Sequence, residues 1–164
     1  MSREILRNYI EINEGLRHKV YLCPMGVKTI GVGFNLERYD ANEQIYSIGL
    51  NYNDVVSGLV SLTTEQIYQL LDKDIDTAIL TANTIFKNIT TLSIERQIIL
   101  VDMAFNLGQT RLSGFIKLIA AINAEKWHRA AAEMENSLWA KQVGRRALLN
   151  INGMKNNCLP GKIY

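Results

Sequence analysis

A carboxylic acid at Glu14, a thiol at Cys23 and a hydroxyl at Thr29 fall within a short stretch of this chain. A carboxylic acid can give a proton to a leaving oxygen. A hydroxyl can hold a water, and a thiolate can act as base or nucleophile. Hydrolysis of a glycosidic bond divides its work in this way, between a proton donor and a second group that handles water or the sugar carbon. The same residue types serve more often as a helix cap, a buried small residue and a strand residue. What they do depends on the elements that hold them.

Ser2 to about Asn13 reads as a short amphipathic helix, with Ile5, Leu6, Tyr9, Ile10 and Ile12 roughly on one face. Gly15 ends it, since glycine is the usual residue just past a helix. Glu14 then sits at the negative end of the helix dipole, where its charged form is disfavoured unless a cation answers it. Val20-Tyr21-Leu22 and Val27 to Val32 are β-prone, and Cys23-Pro24-Met25-Gly26 between them is turn chemistry. A hairpin or small sheet follows, with Cys23 and Thr29 on either side of its turn. Gly31-Val32-Gly33 lacks the third glycine and the following helix of a dinucleotide loop.

Further on, Asp40 can cap a short helix that stops at Gly49, and Asn53 starts another. Thr63 and Gln66 have the spacing of a capping box. The long helix after it carries an apolar stripe of Ile67, Leu70, Leu71, Ile75, Ala78 and Ile79. Asp72, Asp74 and Asp76 alternate and do not share one face, so they read as solvated helix surface and not as a metal site. Ser93 caps an apolar helix from Ile94 to Leu107, closed by Gly108, with Ile98, Leu100, Val101, Ala104 and Phe105 as core positions. Shorter helices follow at about Phe115 to Asn123, Glu125 to Asn136 and Ser137 to Gln142, and another begins near Gly144. Asn152 to Tyr164 has turn residues and little periodicity, and reads as mobile. The fold class is α+β, mainly α. A helix over residues 2–12 precedes a small lobe over roughly 13–62. A connecting helix over about 64–80 leads to a helical lobe over 80–164. A cleft between lobes is a usual place for a ligand.

Composition narrows the function classes. The 164 residues suit one compact domain or two small lobes sharing a helix. No apolar run reaches the roughly 20 residues that span a bilayer, and the first residues lack the apolar stretch of a signal peptide. Synthesis and folding in the cytoplasm are expected. Cys23 and Cys158 are too few for a disulfide framework and are expected to be reduced there. His18 and His128 are the only histidines, and neither a His-Glu-x-x-His nor a Gly-x-Ser-x-Gly occurs. Zinc amidases and ordinary serine esterases are disfavoured. After Glu135 come five basic residues and no acidic one, a distribution that suits either a polyanion partner or a solvated tail. Trp127, Trp139, Phe105 and Phe115 could stack on sugar, although core packing is their commoner fate.

Several segments resemble the T4-type phage lysozymes, a glycoside hydrolase family of phage endolysins. Asn13-Glu14-Gly15-Leu16-Arg17, Lys19-Val20-Tyr21 and Thr29-Ile30-Gly31-Val32-Gly33 look like the start of that family. Its pattern is a Glu, eight residues, an Asp or Cys, five residues and a Thr, which Glu14, Cys23 and Thr29 fit. Asp102 to Gly108 with Gly114-Phe115 resembles its core helix and the turn after it. Trp139 to Ala147 resembles its C-terminal Trp…Gln…Arg-Ala stretch.

The resemblance implies a lysozyme-like fold and a muramidase that needs no metal and no cofactor. It implies Glu14 as general acid, Cys23 and Thr29 as its catalytic companions, and Arg146 as the arginine that pairs with Glu14. Tyr21, Phe105 and Asn106 are expected to bind substrate or support the site. The implied partner is peptidoglycan, with no nucleic acid, no stable membrane insertion, a monomeric state and a holin for export. Two departures stand out. Cys23 occupies the position where aspartate is the commoner residue. Phe34 replaces a histidine of a structural ion pair, which concerns stability more than chemistry. Rival readings are a lytic transglycosylase, which needs one acid and no water, and a non-enzymatic module that binds peptidoglycan through the basic C-terminal end.

Overall fold

The structure is a computed structural model and describes residues 2–161. Helix α1 (Arg3–Glu14) leads into strands β1 (Arg17–Leu22), β2 (Lys28–Gly31) and β3 (Phe34–Asn35). Helices α2 (Ala41–Ser47), α3 (Tyr52–Val56), α4 (Thr64–Ile85), α5 (Ile94–Ser113), α6 (Ile116–Asn123), α7 (Trp127–Glu135), α8 (Leu138–Val143) and α9 (Arg145–Asn156) follow. The architecture is α+β and mainly α, with one antiparallel sheet in the order β1-β2-β3. The chain forms two compact units. One is Ile10–Asp74, and the other joins the described residues up to Tyr9 with those from Ile75 onward. Helices α1 and α4 contribute to both.

In the unit Ile10–Asp74 the sheet is built on a tight turn. The Gly26 N–H donates to the Cys23 carbonyl at 2.8 Å, with φ +76° at Gly26, and the Cys23 N–H donates to the Val27 carbonyl at 3.0 Å. Tyr21 faces Thr29 across β1 and β2, and Thr29 faces Asn35 across β2 and β3. Ile30, Val32, Phe34 and Leu36 are buried here with Ile45, Val55, Leu62, Ile67 and Leu70. The strand β3, too short to leave an alternating pattern, adds an edge that the hairpin reading lacked.

Several cap expectations meet different outcomes. Thr63 and Gln66 make the capping box, each backbone N–H donating to the other's side-chain oxygen at 2.9 and 3.2 Å. Asp40 stands at the start of α2 but makes no cap bond, because its carboxylate turns to the Arg38 guanidinium. Asn51, not Asn53, caps α3, accepting from the N–H groups of Asn53 and Asp54. Asp74 is not solvated surface. Arg38 pairs with it at 2.7 Å and lies over the Phe34 ring at 4.2 Å. Burial pushes the Asp74 carboxyl up, and Arg38 pulls it back in part.

The other unit is built around α5. Ile98, Ile99, Leu100, Val101, Met103 and Ala104 are buried in it, but Phe105 is only half-buried, against expectation. Ser93 caps the helix, and a left-handed φ of 68° at Gly108 breaks its path where closure was expected. Helix α5 packs on α9, and α7 packs on α6, α8 and α9. The reading of Asn152 onward as irregular needs correction. Helix α9 runs to Asn156 and stops at Asn157 in the left-handed region. Met154 is fully buried, and a Cβ at Gly153 would stand 2.6 Å from the Cys158 carbonyl oxygen and from Ile99 Cδ1, so glycine is needed where the chain folds back on α9. Residues 162–164 lie outside the described residues.

Candidate active site

Helix α1 forms because Leu6, Tyr9 and Ile10 share one buried face. It stops where Gly15 takes φ +76° and its N–H donates to the Glu11 carbonyl at 2.7 Å. The last turn is tied to α4 by the Tyr68 hydroxyl, which donates to the Glu11 carboxylate at 2.9 Å. Glu14 is thereby delivered at the helix end, half-buried, against the turn between β2 and β3. A Cβ on Gly33 would lie 3.0 Å from Glu14 Oε2 and 3.1 Å from its Cδ, with φ at +73°. Glycine is required there for the backbone conformation, and any side chain would also press on the carboxyl that rests on it.

Tyr21 and Thr29, as cross-strand partners, project from one face of the sheet. Thr29 is buried, and its hydroxyl donates to the Val27 carbonyl at 3.0 Å. Cys23 closes the hairpin beside them. The backbone N–H groups of Val27 and then Met25 hold its thiol below the usual value. Burial opposes this, while the Thr29 hydroxyl and the residue's own N–H add to the lowering. The Tyr21 phenol is pushed up by burial first and by the Glu14 carboxylate second, with Arg17 opposing. Tyr21 thus feels both Glu14 and Cys23, and Thr29 bonds to Cys23, so the four are linked within a single unit that supplies an acid, a thiol and a hydroxyl.

The remaining site candidates belong to the second unit. Asn106 accepts the indole N–H of Trp139 at 2.8 Å, which places Trp139 in the core rather than on a sugar. Phe105 is half-buried beside it. Arg146 is buried, and its Nε and Nη2 donate to the two carboxylate oxygens of Asp102 at 3.0 and 2.8 Å. Asp102 is the residue that sequence reasoning passed over. A carboxylate inside the apolar stripe of a buried helix was the available signal, because such a charge needs a partner. Among the described residues, no three His, Cys, Asp or Glu side chains gather as a metal ion would require.

A mainly helical α+β chain with one small antiparallel sheet has the layout of a lysozyme-like fold. The family model for phage lysozyme matches residues 11–156, and the chain belongs to that family. It is similar to probable T4-type lysozyme 2 of Dictyostelium discoideum, 27% identical over 157 residues, covering 87% of this chain and 88% of that protein. Probable T4-type lysozyme 1 of the same organism is 27% identical over 153 residues, with the same coverage of 87% and 88%. The pre-baseplate central spike protein Gp5 of Enterobacteria phage T4 is 27% identical over 147 residues, which are 82% of this chain and 25% of that protein. Membership makes the chain a glycoside hydrolase of the peptidoglycan-degrading kind.

Proposed function

We propose that this chain is a muramidase that hydrolyses the β-1,4 bond between N-acetylmuramic acid and N-acetylglucosamine. The observation that carries the reading is the Glu14 carboxyl seated on Gly33 in the unit that also holds Cys23 and Thr29. Glu14 protonates the leaving oxygen. Cys23 and Thr29 manage the attacking water or the sugar cation, and Tyr21 walls the acid. Arg146, Phe105 and Asn106 serve as supporting or substrate-binding positions, Arg146 in a supporting role from its buried pair with Asp102.

The protein works as a monomer on host cell walls at the end of infection. It is made in the cytoplasm and released by a membrane-permeabilising holin. Among the described residues no helix is long and apolar enough to cross a membrane. The thiol–hydroxyl pair favours hydrolysis over transglycosylation, which needs no group to handle water.

Mass spectrometry of the soluble products of purified peptidoglycan tests the proposal. Reducing N-acetylmuramic acid ends are expected. Anhydro ends would make the chain a lytic transglycosylase, and binding without release would make it a peptidoglycan-binding module.

A further inference from the structure

Four polar side chains meet in the interior of the unit built around α5. They are Tyr9 of α1, Asp102 of α5, and Arg146 and Asn150 of α9. Tyr9, Asp102 and Asn150 are fully buried, and Arg146 nearly so. The Tyr9 hydroxyl donates to Asn150 Oδ1 at 2.6 Å, and Asn150 Nδ2 donates to Asp102 Oδ2 at 2.8 Å. Asp102 also receives both bonds of the Arg146 fork. Three helices are joined in one chain of bonds, α5 to α9 through the Asp102 carboxylate and α9 to α1 through the Asn150 amide.

Stability alone does not call for such a set, since buried ion pairs can be replaced by apolar residues at little or no cost. What a satisfied buried network supplies is a single geometry, because any shift leaves a polar group unpaired in a dry interior. Its outermost member, Tyr9, lies five residues before Glu14 on the same uninterrupted helix. That is about 7.5 Å along the axis. A slide or rotation of α1 about this point would carry the Glu14 carboxyl with it, and a misplacement of about 1 Å in a reacting group can cost on the order of a hundredfold in rate.

We infer that the Tyr9–Asn150–Asp102–Arg146 chain is a positioning device for Glu14. The Tyr9 hydroxyl clamps the helix that presents the acid, and Asp102 anchors the clamp. The inference rests on Glu14 being the general acid.

Steady-state kinetics on solubilised peptidoglycan, run well below every melting temperature, test it. Tyr9→Phe keeps the ring and removes only the clamp. Ile122→Ala, at a buried position of α6 outside the cluster, serves as a control for lost stability. The expected result is a kcat reduced roughly tenfold in Tyr9→Phe with KM unchanged, and a control with the kcat of the parent. A Tyr9→Phe protein with kcat within about twofold of the parent overturns the inference, as does an equal loss in the control. If Glu14→Gln stays active, the assignment of the acid fails and the inference with it. If Glu14→Gln is inactive and Tyr9→Phe is normal, the inference fails alone.

Discussion

The sheet-side cluster around Glu14 and the buried cluster around Asp102 are both polar, yet they are built on opposite terms. Around Asp102 the bonds are short and internal, with a carboxylate accepting from a guanidinium fork and an amide. Nothing in it is accessible to a substrate. Around Thr29, which is buried, Glu14, Tyr21 and Cys23 are half-buried, and the thiol is held by backbone N–H groups of a turn rather than by a charged partner. Groups so placed can change protonation state and meet a ligand at modest energetic cost. One cluster keeps a geometry, and the other is equipped to react. A glycosidase needs both, since an acid is useful only where it is held in register with the bond it breaks.

The sharpest way to break this contrast is Glu14→Gln. Loss of wall hydrolysis by about a thousandfold is expected, with an unchanged circular dichroism spectrum, because general-acid catalysis contributes on that order and the half-buried site tolerates an isostere. Retained lysis would show that the reactive cluster has been misassigned.

The buried cluster should respond in the opposite sense, through stability. Asp102→Ala removes the buried carboxylate that accepts the Arg146 fork and the Asn150 amide, and a loss of about 3–5 kcal/mol is expected by urea denaturation. A loss under about 1 kcal/mol would mean that the pair is not dry. Tyr9 adds a pH signature. Burial, aided by Asp102, raises its phenol above the usual range. Its contribution to stability is therefore complete below the unfolded-state value of about 10 and is lost as pH rises beyond it. Tyr9→Phe should flatten the alkaline fall in melting temperature.

Gly33→Ala tests the junction where the acid rests. A Cβ there meets the Glu14 carboxyl at a positive φ. About 1–3 kcal/mol of strain is expected together with a clear drop in kcat. Loss of stability with normal kcat would separate Gly33 from the acid.

The smallest effects should come from Cys23. Cys23→Asp should remain active, since turnover is expected to survive exchange of one acidic group for another. The thiol itself should be alkylated faster at neutral pH than a cysteine in the unfolded chain, because the Val27 and Met25 N–H groups favour the thiolate. Equal rates by mass spectrometry would remove the thiolate from consideration.

Local chemistry was legible wherever neighbours in sequence are neighbours in space. Gly15 ends α1 at Glu14, Cys23 to Gly26 makes the hairpin turn, and Thr63 caps α4 with Gln66. Each depends on bonds spanning a few residues, so composition and spacing suffice. Misreadings arose where two local solutions compete. Asp40 prefers a nearby arginine to a cap, and Asn51 stands two residues before the cap that was expected.

The sequence by itself determined which residue types reach which element ends, because helix stops, turns and caps are decided by φ preferences and short-range bonds. Only the tertiary structure decided that Asp102 receives Arg146 and Asn150, partners 44 and 48 residues away. It also decided that Gly33 lies beneath the Glu14 carboxyl and that Gly153 and Met154 carry α9 past its expected end. These outcomes depend on which buried group lacks a partner and which backbones must approach closely. Those quantities exist only once the helices and the sheet have packed.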